Sequence, residues 1–94
     1  MSQYEGLFIV EGKASDDDLG HVISQIEDEI KKNKGEIIES KSMGKRQLAY
    51  VIKRNSEGFY VLINFKLQGP SLQKIQEKLK LNQKVLRNLI LKKS

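Results

Sequence analysis

The chain has 94 residues, of which 38% are hydrophobic and 31% charged, with a net charge of +5 and no cysteine. This length predicts one domain, residues 1–94, with one small core and no deep cleft between lobes. The lack of cysteine excludes disulfides, thiolate metal sites and cysteine nucleophiles. No signal peptide or membrane-length apolar run is apparent, so we expect a soluble cytoplasmic protein.

The first predicted element is a β-strand over residues 4–10, which has apolar side chains on both faces and therefore belongs inside a sheet. A helix is predicted over residues 15–34. Ser15 suits its N-cap, and the run of three aspartates that follows places negative charge at the helix start. Gly35 is predicted to end this helix in the left-handed conformation. The apolar stripe of the helix consists of Leu19, Val22, Ile23, Ile26 and Ile30.

A long β-hairpin is predicted over residues 43–65, after an extended segment that begins at residue 36. Gly44, inside a strand pattern, predicts a bulge or bend. Residues 53–58 contain the Asn, Ser and Gly typical of turns and are predicted to connect the two arms. In the second arm, the core-facing side chains are Phe59, Val61, Ile63, Phe65 and Leu67.

A second helix is predicted after Gly69, because Pro70 is favoured in the first turn of a helix. Leu72, Ile75 and Leu79 form its apolar stripe, and it ends near residues 81–82. The last strand is predicted over residues 85–91, but its two faces are too similar to be oriented from the sequence.

The predicted order β-α-β-β-α-β indicates an α+β protein with the ferredoxin-like split βαβ fold. This fold has a four-stranded antiparallel sheet with both helices on one face, so the other face stays open. The open face is predicted to carry an apolar patch that binds a protein partner. Only Tyr60 among the aromatic residues is predicted there, which suits a protein better than nucleic-acid bases. The predicted partner-face residues are Leu7, Ile9, Tyr60 and Leu62.

The charges are unevenly distributed, with eight acids and one lysine in residues 1–30 and sixteen bases and four acids in residues 31–94. The two ends of the first helix explain part of this asymmetry. Basic residues outside that helix remain, and clusters of this kind contact phosphates well. We therefore predict a polyanion partner. The candidate RNA-binding residues are Lys45, Arg46, Lys53, Arg54, Arg87 and Lys92.

The sequence offers no catalytic constellation, so we expect a protein that is not an enzyme and needs no metal or cofactor. His21 is the only histidine and is predicted to be exposed on the first helix. Asp16 and its two acidic neighbours are not followed by the spacing of a calcium loop. No glycine-rich phosphate loop is present, and the serines have no neighbouring base.

The segment Gly-Lys-Arg-Gln-Leu-Ala-Tyr at residues 44–50 resembles the ribosomal protein S-six family, the sixth protein of the bacterial small ribosomal subunit. Further matches are the start of the first strand, residues 60–64, Asn82, Val85 and Arg87, so the resemblance spans about residues 4–92. Val51 stands where the family often has proline, which predicts more regular pairing of that strand.

The resemblance implies a structural constituent of the small ribosomal subunit, located on the cytoplasmic ribosome and acting in assembly and translation. It implies binding to the central domain of small-subunit (16S-type) ribosomal RNA together with ribosomal protein S-eighteen, which would occupy the open sheet face. Arg46 is the basic residue carried over within the motif, and Tyr4 and Arg87 also match family positions.

A second interpretation fits the same topology. A ferredoxin-like regulatory module would bind a small ligand and self-associate through its sheet. Such a module would be a homodimer without affinity for RNA, whereas we expect a ribosomal protein of this kind to be a monomer when free.

Overall fold

The six predicted elements occur in the predicted order in the computed structural model, which describes residues 1–93. The four strands form one antiparallel sheet and both helices cover one of its faces, so the ferredoxin-like prediction is confirmed. No helix within residues 1–93 is long and apolar enough to cross a membrane. The elements are β1 (Ser2–Glu11), α1 (Asp16–Lys32), β2 (Glu36–Ile52), β3 (Asn55–Leu67), α2 (Gly69–Lys80) and β4 (Val85–Lys92). The strand order in the sheet is β2-β3-β1-β4.

The core lies between the helices and the inner face of the sheet. Alternate residues of β1 and β3 are buried, because successive side chains of a strand point to opposite faces. The predicted apolar stripes of both helices cover this face of the sheet. The spacing of the apolar residues along each strand and helix therefore determines which side chains are buried. The fully buried residues are Phe8, Val10, Val22, Ile26, Ile30, Val61, Ile63, Phe65, Leu67 and Ile75.

Both helices begin as predicted. Ser15 caps α1, and its hydroxyl oxygen accepts a hydrogen bond from the backbone N–H of Asp18 at 3.1 Å. Helix α2 has Pro70 in its first turn, where the absent N–H would have no partner within the helix.

Helix α1 ends differently from the prediction. Lys34, rather than Gly35, adopts the left-handed conformation, with φ of 65°. The N–H of Lys34 donates to the carbonyl of Lys31 and the N–H of Gly35 to that of Ile30, both at 2.9 Å, which is the Schellman pattern. Gly35 is required for space instead, because a Cβ there would lie 2.8 Å from the Ile30 carbonyl oxygen.

The predicted connector over residues 53–58 is wrong. Ile52 pairs directly with Asn55, so only Lys53 and Arg54 form the turn. Both have positive φ, at 46° and 67°, as in a type I′ hairpin turn. This turn type prefers Asn-Gly, and Lys-Arg therefore occupies it with backbone strain.

Replacing this turn by the preferred residues should stabilise the protein. The double substitution Lys53→Asn with Arg54→Gly is expected to raise the free energy of unfolding by about 1–2 kcal/mol, measured by urea unfolding. The control Lys53→Gln with Arg54→Gln removes the same charges but leaves side chains unsuited to the left-handed region. We expect little change in the control, and equal stability of the two double variants would contradict the strain argument.

Strand β2 forms one edge of the sheet and is irregular. Its register against β3 shifts between Ile37 and Glu39 and again between Ser42 and Lys45. The second shift contains Gly44, with φ of 86°, so the predicted bulge is confirmed.

Near the hairpin end, β2 departs from the ladder between Gln47 and Ile52. Gln47 pairs with Glu57 and Ile52 with Asn55, so five steps along β2 face two steps along β3. The more regular pairing predicted from Val51 is therefore wrong. The extra residues form an excursion from the ladder, and this excursion determines where the side chains of the hairpin end lie.

Strand β4 forms the other edge. It shifts register once near its start and then pairs evenly with β1 from Arg87 to Lys92. The two edges of the sheet thus differ in regularity.

Candidate nucleic-acid interface

The four predicted partner-face residues lie together on the open face, the sheet face away from the helices. Leu7 of β1 pairs with Leu62 of β3, and Ile9 pairs with Tyr60. All four side chains are half-buried although no helix covers them. The alternation of the two central strands was sufficient to place these residues from sequence.

Strand β4 adds two leucines that the sequence did not assign. Leu89 pairs with Leu7 and Leu91 with Glu5, so both lie on the open face, while Ile90 between them packs against the core. Leu89 and Leu91 are 57% and 54% exposed. We call Leu7, Leu62, Leu89 and Leu91 the aliphatic patch. The sequence could not place Leu89 and Leu91 in this patch, because the two faces of β4 are too similar to show which one lies away from the helices.

The structure separates Lys45 from Arg46, although the two are adjacent in the sequence and both are candidate RNA-binding residues. The Lys45 Nζ lies 5.1 Å from the ring centroid of Phe59, on the helix side of the sheet. The Arg46 guanidinium carbon lies 5.7 Å from the ring centroid of Tyr60, on the open face. Adjacent residues of a strand point to opposite faces, so only Arg46 is presented there.

Arg87 connects the two edges of the sheet. It pairs with Ile9 on the open face, and its guanidinium donates a hydrogen bond to the hydroxyl of Tyr50 in β2. The guanidinium carbon is also 5.8 Å from the Tyr50 ring centroid. Because β2 and β4 are opposite edges, this contact requires the hairpin end to curve over the open face. The sequence missed Tyr50, because the irregular pairing of β2 hides the face on which it lies.

The hairpin tip with Lys53 and Arg54 rests on the β1–α1 loop. The N–H of Gly12 donates to the Asn55 side-chain oxygen at 3.3 Å. A Cβ on Gly12 would lie 2.6 Å from the Glu57 carbonyl oxygen, so the two backbones touch closely. This contact holds the basic tip in a defined position.

Lys92 lies apart from the other candidates. It pairs with Tyr4, five residues along β1 from the Ile9 partner of Arg87. At about 3.4 Å per residue this separation is about 17 Å. We call Arg46, Lys53, Arg54 and Arg87 the basic end of the sheet, and neither Lys92 nor Lys45 belongs to it.

The cations of the basic end are not neutralised within the described chain. Across residues 1–93 the one ion pair joins Lys93 to Glu5, at 3.7 Å. Free cations at one end of a sheet can bind phosphates without first breaking an ion pair. His21 is exposed on α1, as predicted, and no cluster of metal-ligating side chains occurs within the described part of the chain.

Comparison with known proteins identifies a family. Residues 3–92 match the family model described as Ribosomal protein S6. The small ribosomal subunit protein bS6 of Thermoanaerobacter pseudethanolicus is 35% identical over 92 residues, which cover 98% of this chain and 97% of that protein. The bS6 protein of a Sulfurovum species is 32% identical, with coverage of 98% and 72%.

The same relationship appears in structure. The crystal structure of 30S ribosomal protein S6 from Thermotoga maritima matches with a TM-score of 0.91 at 26% identity, covering 98% of this chain and 87% of that one. These matches confirm the resemblance indicated by residues 44–50 and the predicted location on the cytoplasmic ribosome. The chain therefore belongs to the ribosomal protein S6 family of the bacterial small ribosomal subunit.

Proposed function

We propose that this member of the S6 family binds small-subunit ribosomal RNA jointly with ribosomal protein S-eighteen, as a monomer when free. One observation carries the proposal. The open face has an exposed aliphatic patch beside a basic end whose four cations are unpaired within residues 1–93. Two adjacent surfaces of different chemistry suit two different partners.

The aliphatic patch suits a protein partner. Leu89 and Leu91 are more than half exposed and adjoin the half-buried Leu7. Burying such side chains against apolar atoms is favourable, at about 25 cal/mol per Å². The patch contains no cation, so it offers no favourable electrostatic contact to RNA phosphates. A second small ribosomal protein with an apolar surface is the matching occupant.

The basic end suits the RNA. Cations that neutralise phosphates release condensed counterions, so affinity falls with salt. The chain alone presents four such groups, which predicts weak binding. A partner that occupies the aliphatic patch and also contacts RNA makes the second contact intramolecular and raises the combined affinity.

The test measures binding to an RNA fragment of the small-subunit central domain, with and without S-eighteen, over a salt series. We expect tight binding only with both proteins. Arg46→Gln should reduce the salt slope by about 0.7–0.9, the effect of one lost phosphate contact. Lys74→Gln makes the same charge change on α2, away from the open face, and should leave the slope unchanged.

Two results would contradict the proposal. Equal RNA binding with and without S-eighteen would remove the cooperative role, and a flat salt dependence would remove the phosphate contacts. Sedimentation of the free chain at micromolar concentration should give a monomer. A dimer without RNA affinity would instead favour the regulatory module that self-associates through its sheet.

A further inference from the structure

We infer that Tyr50, held by Arg87, is a stacking site for one unpaired base of the bound RNA. This inference rests on the proposed function and adds to it, because phosphate contacts alone read no base. The open face then has a base-binding position at its hairpin end, where the sequence indicated phosphate contacts but no stacked base.

Tyr50 differs from the other tyrosines of the chain in its exposure. Its side chain is 59% exposed, whereas Tyr4 is 5% exposed in the core and Tyr60 is half-buried under Arg46. An exposed ring contributes little to the hydrophobic core, so folding does not explain an aromatic residue at this position. Unstacked RNA bases, in contrast, are bound by aromatic rings and by guanidinium planes.

Arg87 holds the Tyr50 ring in place. Its guanidinium donates to the tyrosine hydroxyl and lies 5.8 Å from the ring centroid. The two residues come from opposite edge strands, so this contact spans the whole sheet. A side chain that is already ordered loses less entropy when a ligand binds. The pair also combines both stacking partners of a base, an aromatic ring and an arginine.

The surroundings favour a nucleotide over a protein side chain. Arg46, Lys53 and Arg54 lie on the same curved hairpin end, where they can contact the phosphates that flank a stacked base. A protein interface without acids would desolvate these cations without compensation, at a considerable cost in free energy. The aliphatic patch begins beyond Arg87, at Leu89. Arg87 thus marks the boundary between a protein-binding part and a base-binding part of one face.

The experiment uses the full chain and two RNA probes of equal length, a single-stranded adenosine octamer and a duplex, each containing one 2-aminopurine. We expect the single strand, but not the duplex, to change 2-aminopurine fluorescence. Tyr50→Leu should weaken octamer binding by about 5- to 150-fold, the loss of one stacked base at about 1–3 kcal/mol. Tyr50→Phe keeps the ring and should retain most of the binding. Val51→Ala alters the neighbouring exposed residue and should have no effect.

Equal unfolding midpoints will show that the variants keep the fold. Octamer binding by Tyr50→Leu at the affinity of the unaltered chain would overturn the inference, and salt-dependent binding with S-eighteen would still support the proposed function. Tyr50→Leu can also be tested against S-eighteen without RNA. If this variant binds S-eighteen more weakly but keeps its affinity for the octamer, the ring belongs to the protein interface and the stacking inference is overturned. Absence of any RNA binding by the unaltered chain with S-eighteen would overturn both proposals.

Discussion

Phe65→Ala is expected to lower the free energy of unfolding by about 3–5 kcal/mol, the usual loss for a fully buried phenylalanine. Phe65 lies in β3, an inner strand of the sheet, and is completely buried. Its ring stacks on that of Tyr4 with centroids 5.7 Å apart, and it lies above the backbone of Gly6. The substitution removes this stacking contact and leaves a cavity that the rigid sheet cannot close.

Such a loss is a large part of the total, since about 0.05–0.15 kcal/mol per residue gives about 5–14 kcal/mol for a chain of this length. Chemical unfolding followed by far-UV circular dichroism measures it. The neighbouring Lys66 is exposed, and Lys66→Ala should change stability by less than about 0.5 kcal/mol. A loss below about 1 kcal/mol for Phe65→Ala would show that the core is packed differently.

Gly12→Ala is expected to cost about 1–3 kcal/mol, as overpacking does in a close contact. The new Cβ would lie 2.6 Å from the carbonyl oxygen and 3.0 Å from the carbonyl carbon of Glu57. Both are backbone atoms, so no side chain can move to make room. The hairpin tip must shift instead, and the hydrogen bond from Gly12 to Asn55 is lost with it. We therefore expect weaker RNA binding in addition to lower stability.

Gly20→Ala is the matched control for this substitution. Gly20 lies in the interior of α1, and nothing lies within 4 Å of a Cβ built there. Alanine in a helix interior is more favourable than glycine by about 0.5–1 kcal/mol, so the same chemical change should stabilise the chain. Thermal and urea unfolding of both variants should give opposite signs. A neutral Gly12→Ala would mean that the tip does not rest on the β1–α1 loop.

The fold was predictable because the apolar residues of each strand and helix recur at the spacing typical of that element. Phe59 to Leu67 alternates over nine residues, and α1 has its apolar residues at helical spacing between an N-cap and a basic last turn. These periods determine which face is buried, and burial determines the layers. The open-face positions of the predicted partner-face residues followed from the same alternation.

The turns were less predictable because their residues contradict the usual preferences. Lys34, Lys53 and Arg54 all adopt positive φ, although glycine or asparagine is expected there. Gly35 and Gly58 lie near these turns, and the predictions wrongly extended the turns to them. Tertiary contacts explain both glycines, since a Cβ would lie 2.6 Å from Ile30 in the first case and 2.6 Å from Ile9 in the second.

The candidate site was predictable only in part, because the sequence of a strand does not show which strands pair with it. Leu89 and Leu91 were assigned to the open face by pairing with β1, and Tyr50 by its contact with Arg87. That contact depends on how far the end of β2 leaves the ladder. A bulge can be inferred from Gly44, but the path of the chain beyond Gln47 follows from the packing of the whole hairpin.

The unequal edges of the sheet limit how copies of this chain can polymerise. An edge that is bulged and charged resists the addition of another strand, and β2 has both properties, with three register shifts and exposed Glu39, Lys41 and Lys45. The regular β4 offers backbone groups that a second strand could pair with. Because only the β4 edge of each copy can accept another strand, edge pairing joins two chains at most. The fold is therefore protected against open-ended fibres.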